Sequence, residues 1–210
     1  MIRVTENHME PVAKLMAECF KEDPLVKMQI RGIDNEKEFL ENLLLCQLYV
    51  YEKTVDVYSA DDKLRSVLIG YEKRKLFTWM KLLMLNIQSS SRMRRLVGKE
   101  DFKVYLRNLK EVSKIVDLKW QNQFIKKDYY RINIIAIAQE ERGKGIFRAL
   151  IMPIIDKCNK DNTPIILETN DPRHVEIYEH FGFNLVKTIP CKANELSQYC
   201  LIKYPNAPLG

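Results

Sequence analysis

Residues 129–150, YYRINIIAIAQEERGKGIFRAL, determine the fold of this chain. The first ten are rich in Ile, Tyr and Ala and contain no Pro or Gly, which is typical of a buried strand. Four charged residues and two glycines follow within residues 139–145. From Ile146 the apolar residues recur every three or four positions, which predicts a helix. The segment therefore predicts a strand, a tight glycine turn and a helix.

The glycine turn leads directly into the N-terminus of the predicted helix. The first backbone N–H groups of a helix have no partners within it, and the helix dipole places partial positive charge there. Glycine lets an anion approach the backbone closely, and Arg142 and Lys144 add formal positive charge. Two interpretations stay open from this turn alone: a phosphate-binding site, or glycines that only permit a sharp change of direction.

Two motifs follow one another in this half of the chain. The first is RGKGI at residues 142–146, with RAL at residues 148–150. The second is PIILETNDPRHVEIYEHFGFNLV at residues 164–186, which contains YEHFGF at residues 178–183. Together they resemble the acetyl-CoA-binding motif and the Tyr-x-x-x-Gly-Phe element of the GNAT superfamily of N-acetyltransferases. The resemblance covers residues 129–190, and the N-terminal half matches only in its general layout.

The chain departs from the pattern of this superfamily at three positions. Glu140 stands where Gln or Arg is frequent, and Phe147 stands where many members have Gly. His174 stands where many members have Asn. None of these changes removes the backbone N–H groups on which a phosphate site would depend.

The resemblance and the hydrophobic patterns predict one α/β domain over residues 1–210. The expected order of elements is β-α-α-β-β-(αα)-β-α-β-α-β-β. That order gives a GNAT-like mixed, mostly antiparallel central sheet with helices on both faces. Residues 129–190 are expected to form the acetyl-CoA-binding core.

Residues 73–128 are more than a minimal member of the superfamily requires before its fourth strand. Helical patterns run through residues 77–87 and 102–118, and three consecutive serines at residues 89–91 predict a loop between them. We expect this inserted helical segment to supply specificity for the acceptor, because variable insertions on a fixed scaffold often carry recognition.

Composition restricts the class of protein. The 210 residues have a formal net charge of +6, and their apolar and charged contents are ordinary for a soluble globular protein. No apolar run approaches the ~20 residues that cross a bilayer, and the N-terminus has no signal-peptide pattern. The five cysteines show no metal-binding spacing. We therefore expect reduced thiols, no metal ion, no membrane association and a cytoplasmic location.

The densest basic cluster, SRMRR at residues 91–95, raises the alternative of nucleic-acid binding. It lacks the interleaved aromatic residues of a base-stacking surface, so we expect a solvated helix end or loop and no nucleic-acid partner. The modest positive charge of the chain would instead suit the strongly anionic acetyl-CoA.

The resemblance assigns cofactor binding mainly to backbone atoms. The arm of acetyl-CoA is expected to lie along the strand before the turn, with its pyrophosphate on the turn and its thioester carbonyl near a backbone N–H. His174 is expected to have a binding or structural role. The residues expected to bind the cofactor are Ile135, Ala136, Ile137, Arg142, Gly143, Lys144, Gly145, Ile146 and His174.

Two side chains are candidates for proton transfer. Tyr178 corresponds to the general acid of the superfamily, which protonates the departing thiolate, and its alternative is packing against Phe181 and Phe183. Glu168 is the candidate base, acting on the amine directly or through water. Its alternative is a carboxylate at a strand end that pairs with a nearby cation.

These observations predict a cytoplasmic enzyme that transfers the acetyl group of acetyl-CoA to a primary amine of a small molecule, directly and in a ternary complex. The alternative is a non-catalytic module of the same fold that binds or senses acyl-CoA. O-acylation stays open, because the motifs locate the donor and not the acceptor. A homodimer is compatible with the sequence.

Overall fold

The computed structural model describes residues 1–73, 79–191 and 196–206. Its strands are β1 (Ile2–Arg3), β2 (Asp56–Ser59), β3 (Ser66–Glu72), β4 (Tyr130–Ile137), β5 (Ile165–Thr169), β6 (Asn184–Pro190) and β7 (Ser197–Lys203). Its helices are α1 (Met9–Phe20), α2 (Pro24–Ile30), α3 (Glu36–Thr54), α4 (Trp79–Val97), α5 (Lys99–Val112), α6 (Ile146–Lys160) and α7 (Pro172–His180).

All these strands belong to one sheet of order β1-β2-β3-β4-β5-β7-β6. β4 and β5 are parallel, and every other neighbouring pair is antiparallel. Alternate residues of β3 show that both faces are covered: Val67 and Ile69 pack with α1 and α3, whereas Leu68 packs with α6. The predicted mixed, mostly antiparallel sheet with helices on both faces is confirmed. The single-domain boundaries stay a prediction.

A bulge in β4 changes which of its side chains face each layer. Ile69 of β3 pairs with Ile134, but the next residue, Gly70, pairs with Ile132, so Asn133 is an extra residue in β4. Ile132 packs with α6, whereas Ile134 packs with α1 and α3 two positions later. Side chains two apart on a regular strand share a face, so the bulge is what turns the second half of β4 over.

The predicted loop at residues 89–91 is wrong, because α4 continues through all three serines. Ser89 Oγ donates a hydrogen bond to Cys46 O of α3 at 3.0 Å, so packing along α3 offsets the weak helix propensity of serine. The chain breaks instead at Gly98, which has φ of +85° between α4 and α5. Phe77, the start of the predicted pattern, lies outside the described residues.

α2 is a helix that the sequence analysis did not predict. Asp23 Oδ1 accepts hydrogen bonds from Leu25 N and Val26 N at 2.9 and 3.0 Å, an N-cap directly before the proline that begins the helix. The side chain of α2 residue Ile30 is buried in the core. α2 is thus held by a cap at one end and by the core at the other.

Within the described residues, no helix is both long and apolar enough to cross a bilayer. The five cysteines are all unpaired, and Cys46, Cys158 and Cys200 are buried.

The close contact of Gly70 in β3 with residues of β4 yields a prediction about stability. A Cβ added there would lie 2.6 Å from Tyr130 Cε1 and 2.8 Å from Arg131 O, and Tyr130 is fully buried. Gly70→Ala should therefore lower the free energy of unfolding by about 2–3 kcal/mol, in the range of core overpacking. Urea unfolding measures it. Ser90→Ala, on the exposed side of α4, should change the midpoint little, and an equal midpoint for both variants would contradict the packing argument.

Candidate functional site

β4 and β5 separate soon after they begin. They are paired only at Tyr130–Ile165 and Arg131–Ile166. Beyond these rungs β4 continues to pair with β3, and β5 continues to pair with β7. The two parallel strands therefore leave an opening between their C-terminal halves in the middle of the sheet, which we call the splay.

One edge of β4 faces the splay. In an antiparallel pair, the backbone groups of successive residues point alternately towards the partner strand and away from it. Ala138 N donates to Arg65 O at 2.9 Å on the β3 side, which turns the backbone groups of Ala136 towards β3 and those of Ile135 and Ile137 into the splay. Among the predicted cofactor-binding residues, Ile135 and Ile137 thus offer their backbone to the opening, and Ala136 does not.

The carbonyl of Ile137 already has two partners. Arg142 Nε donates to it at 3.3 Å, and Cys19 Sγ of α1 lies at 3.4 Å. Burial raises the pKa of the Cys19 thiol, which keeps it protonated as a donor. These contacts fix the glycine turn and α1 to the end of β4, so that the N–H and C=O of Ile135 and the N–H of Ile137 are the backbone groups available to an extended ligand.

The glycine turn has the backbone geometry that an anion site needs. Gly143 and Gly145 have φ of +77° and +80°, a region that favours glycine, and Gly145 is the N-cap of α6. Its carbonyl accepts from Ala149 N at 3.1 Å, and no described side chain caps the helix. Nothing lies within 4 Å of an ideal Cβ at either glycine. The N–H groups of the first turn, which begins at Ile146, fit a bound pyrophosphate.

The charges around the turn are partly paired. Lys144 Nζ lies 3.4 Å from Glu141 Oε2. Glu140, the carboxylate that departs from the superfamily pattern, forms an exposed ion pair with Arg65. Arg65 therefore compensates the negative charge that would otherwise oppose a phosphate.

Tyr178 packs beside the first turn of α6. Its ring centroid lies 5.8 Å from that of Phe147 and 5.8 Å from that of Phe183. Burial raises the pKa of Tyr178 to about 12, so its hydroxyl stays protonated at neutral pH. Phe147, where many superfamily members have Gly, thus packs against the ring of Tyr178.

Glu168 forms an ion pair with Arg131, which crosses from β4 to β5 at the last paired rung. The side chains are 7% exposed for Arg131 and 21% exposed for Glu168. Burial raises the pKa of Glu168 above its ordinary value of 4.5, and the Arg131 charge opposes that rise. Glu168 is therefore paired with a cation, and it also lies at the base of the splay.

The second oxygen of Glu168 is buried and lacks a hydrogen-bond partner among the described residues. The same is true of Trp120 Nε1, whose indole lies beside this carboxylate and lowers its pKa less than Arg131 does. Buried polar atoms usually have partners, and the indole N–H of Trp120 is the donor that lies next to this carboxylate.

His174 lies near the N-terminus of α7, where it joins that helix to the end of β5. Its Nδ1 is 3.2 Å from Thr169 Oγ1, and its Nε2 is 3.9 Å from Asp171 Oδ2. The ring is 53% exposed, and no contact to the glycine turn is found among the described residues.

A cleft of about 550 Å³ opens where β5 ends. α2 forms one wall, and the starts of α7 and β7 form the other. α1 is tied to the end of β4 by Cys19 and leads into α2, so the α2 wall of the cleft is connected to the end of β4. Its lining includes Pro24, Met28, Asn170, Pro172, Ser197 and Tyr199. None of its described lining residues comes from the inserted helices α4 and α5.

Sequence reasoning missed Arg131 and the cleft. The signal for Arg131 was present, because a charged residue inside a buried apolar strand implies a buried ionic partner. The lining of the cleft had no such signal, since its residues come from elements far apart in the chain. In the described part of the chain, no group of three or more His, Cys, Asp and Glu residues could hold a metal ion.

No protein-family model matches the sequence. A curated relative, an uncharacterised N-acetyltransferase of Schizosaccharomyces pombe, is 43% identical over 49 residues, which is 23% of this chain. The match spans 20% of the length of that relative.

Solved structures match over nearly the whole chain. An acetyltransferase of Corynebacterium glutamicum, named "histone acetyltransferase HPA2 and related acetyltransferase", has a TM-score of 0.69 at 17% identity, over 100% of this chain and 97% of that one. An N-acetyltransferase of Staphylococcus aureus has a TM-score of 0.57 at 15% identity, over 95% and 97%. Arylalkylamine N-acetyltransferase 2 of Aedes aegypti has a TM-score of 0.58 at 14% identity, over 98% of both chains.

The sheet order, the splay and these neighbours define an acetyltransferase-type α/β fold. The chain has the fold of the GNAT N-acetyltransferases, and the resemblance found in the sequence is confirmed at the level of the fold.

The buried ion pair yields a prediction about the pH dependence of stability. In Arg131→Met, Glu168 loses its counter-charge, and the free energy of unfolding at pH 7 should fall by about 3 kcal/mol. The substitution raises the pKa of Glu168 in the folded state further. At pH values above 4.5, the ordinary pKa of the group, the folded state therefore binds more protons than the unfolded state. The loss should therefore be small near pH 4 and grow as the pH rises.

Urea unfolding of Arg131→Met between pH 4 and 8 tests this. The double variant Arg131→Met with Glu168→Gln is the control, because it removes the uncompensated charge and should recover much of the lost stability at pH 7. A loss that is independent of pH, or a double variant no better than the single one, would contradict the assigned pairing.

Proposed function

We propose that this protein is an acetyl-CoA-dependent N-acetyltransferase that acts on a primary amine of a small molecule. The observation that carries the proposal is the junction of the splay with the glycine turn: a strand edge and, after the turn, a helix N-terminus, neither of which has a pairing strand or side-chain cap among the described residues. An acyl-CoA has both an amide-bearing arm and a pyrophosphate, and the junction suits both. The names of the matching relatives, from Schizosaccharomyces pombe and Staphylococcus aureus, support the same activity.

On this proposal the chain holds the donor through its backbone. Ile135 extends the sheet hydrogen bonding to the arm, and the turn with Gly143, Gly145 and Ile146 binds the pyrophosphate. Lys144, exposed beside the turn, adds attraction at longer range. The donor supplies an activated acetyl group as a thioester.

The two proton-transfer groups lie on opposite faces of the sheet. Successive side chains of β5 point to opposite faces of the sheet. Leu167 packs with α6, so the next residue, Glu168, faces the other layer. Tyr178 packs within the α6 layer. The amine is therefore proposed to reach Glu168 from the cleft at the end of β5, and the thiol is proposed to leave on the Tyr178 side.

In the proposed ternary complex the amine nitrogen attacks the thioester carbonyl carbon, and the carbon–sulfur bond breaks. Glu168 accepts a proton from the amine, directly or through water, and its raised pKa makes it a better base. Tyr178 donates a proton to the leaving thiolate, and the proton held by Glu168 returns to Tyr178 through solvent. The products are an amide and free CoA thiol, with no net proton change on the protein.

Calorimetric titration with acetyl-CoA tests where the donor binds. Gly145→Glu places a carboxylate at the turn and strains a backbone with φ of +80°. The affinity for acetyl-CoA should fall about 100-fold through charge repulsion and lost backbone contacts.

Gly98→Glu is the matched control for this titration. Gly98 has φ of +85°, precedes a helix N-terminus and has nothing within 4 Å of its ideal Cβ, as at Gly145. Any effect common to both variants is backbone strain. Equal affinities in the two variants would remove the turn as the pyrophosphate site.

Tyr178→Phe separates the enzyme from a non-catalytic acyl-CoA sensor. The variant keeps the ring contacts with Phe147 and Phe183 but lacks the hydroxyl, so kcat should fall roughly 10²–10⁴-fold while the affinity for acetyl-CoA holds. In the parent protein, deprotonation of Tyr178 should not lower kcat until the pH approaches its pKa of about 12. Release of CoA thiol with an amine panel measures both.

Tyr204→Phe is the control for that experiment, because Tyr204 is half exposed near the C-terminal end of β7. An unchanged kcat in Tyr178→Phe would assign the tyrosine a packing role. The cytoplasmic location and the homodimer stay predictions.

A further inference from the structure

The inserted segment brings an aromatic ring against β5 and β7. After α5 the chain forms a short 3₁₀ helix, Trp120–Gln123, and Trp120 is fully buried. The indole packs with Ile166 of β5 and with Cys200 and Ile202 of β7. The end of the inserted segment therefore covers the two strands that lead away from the splay.

Glu168 lies on the same face of the sheet as this ring. Ile166 and Glu168 are two apart on β5, and side chains two apart on a strand share a face. Glu168 is also paired in the sheet with Cys200 of β7, which packs with Trp120. Both relations place the indole next to the carboxylate.

The indole and the carboxylate have complementary hydrogen-bonding atoms. Trp120 Nε1 and Glu168 Oε2 are both buried and have no other partner among the described residues. An indole N–H only donates, and an ionised carboxylate only accepts. Burial raises the pKa of Glu168, and the Arg131 charge and the indole N–H oppose that rise.

The segment that carries Trp120 is fixed to the sheet on both sides of the ring. Asp117 N donates to Gln198 Oε1 of β7 at 2.9 Å, and Gln198 Nε2 donates to Asp117 O at 3.1 Å. Lys187 Nζ of β6 donates to Gln123 Oε1 at 3.2 Å. The indole is thus held in place by the fold, which is what a group needs in order to orient another.

Resting on the function proposed above, we propose that Trp120 is a positioning residue of the active site, whose indole N–H donates to Glu168 Oε2. Arg131 holds the other oxygen of the carboxylate. Held at both oxygens, Glu168 keeps one orientation at the base of the splay and stays ionised. A carboxylate has about four lone-pair sites, so these two hydrogen bonds leave sites for the proton of an amine.

Other ionisable groups of the described chain lie around Glu168 or its neighbour Cys200. Burial raises the pKa of Tyr71, and it raises that of Cys200 to about 12, so both stay neutral at neutral pH. Asp117 is the other carboxyl group here, and Asp117→Asn removes its titration from the measurement. The full set is Arg131 of β4, Tyr71 of β3, Cys200 of β7, Lys187 of β6 and Asp117 of the inserted segment.

The indole N–H signal in NMR tests the contact without any turnover. The chain has two tryptophans, so Trp79→Phe identifies the signal of Trp120. This signal should move upfield as the pH falls and Glu168 becomes protonated, because hydrogen bonds to charged groups are the stronger ones. Glu168→Gln should abolish the movement, and Asp117→Asn should leave it. A Trp120 signal that is independent of pH, or that moves equally in Glu168→Gln, would overturn the proposal.

The pH dependence of turnover tests the positioning role. In the Trp79→Phe background, replacement of Trp120 by 3-benzothienylalanine keeps the ring shape and removes only the N–H. The kcat/KM of this protein is divided at each pH by that of the Trp79→Phe parent, which cancels the ionisation of the amine itself. The ratio should be about 0.1 below the acid limb and approach one above it, since the lost hydrogen bond moves the limb up by about one pH unit.

Ethanolamine, spermidine and 2-phenylethylamine form the amine panel for this assay. Ile125→Val is the packing control, because Ile125 is buried in the same cluster as Trp120 and has no polar side-chain atom. It should lower the stability slightly and give a ratio to the parent that is independent of pH.

The two measurements separate this inference from the proposed function. Turnover in the benzothienylalanine protein with a ratio independent of pH would uphold the enzyme and assign Trp120 a packing role alone. A pH-dependent indole signal in a protein that acetylates no amine of the panel would uphold the contact between Trp120 and Glu168 and overturn the enzyme.

Discussion

The structure depends on the separation of two parallel strands in the middle of a sheet. Unpaired backbone groups in a protein interior are costly, so a sheet normally closes such a gap. Here β5 pairs with β7 while β4 stays with β3, and among the described strands none pairs with the edge of β4 at Ile135 that faces β5. The bulge at Asn133 acts together with the splay, because it sets which side chains of β4 pack against α1 and which pack against α6.

Arg131 and Glu168 mark the point where this separation begins. Their ion pair joins the two strands at the last rung, so the opening has a charged and buried base. A buried pair of this kind adds little net stability compared with apolar packing, although loss of one partner is costly. Its value lies in geometry: it holds a carboxylate beside the opening, on the layer opposite Tyr178.

Local signals predicted the elements that form the donor side. Strand β4, the turn and α6 follow from apolar runs and from glycines with positive φ, and the bounds of α7 follow from Pro172 at its start and Gly182 after its end. Predictions failed where distant contacts decide. Residues 89–91 are helical through their packing on α3. Pairing of Glu168 with a cation was one of two alternatives, but the choice of Arg131 and the lining of the cleft depend on the sheet order, which brings distant residues together.

The inserted segment has an indirect part in this arrangement. Asn108 of α5 is buried and donates hydrogen bonds to Gln29 O and Arg31 O at the end of α2, at 3.1 and 2.8 Å. α5 therefore fixes the C-terminal end of α2, the helix that forms one wall of the cleft. Substitutions in α5 can move that wall while the donor side stays intact. Under the proposed function, the chain separates an adjustable part from a fixed part, and its substrate range can evolve from positions that never touch the substrate.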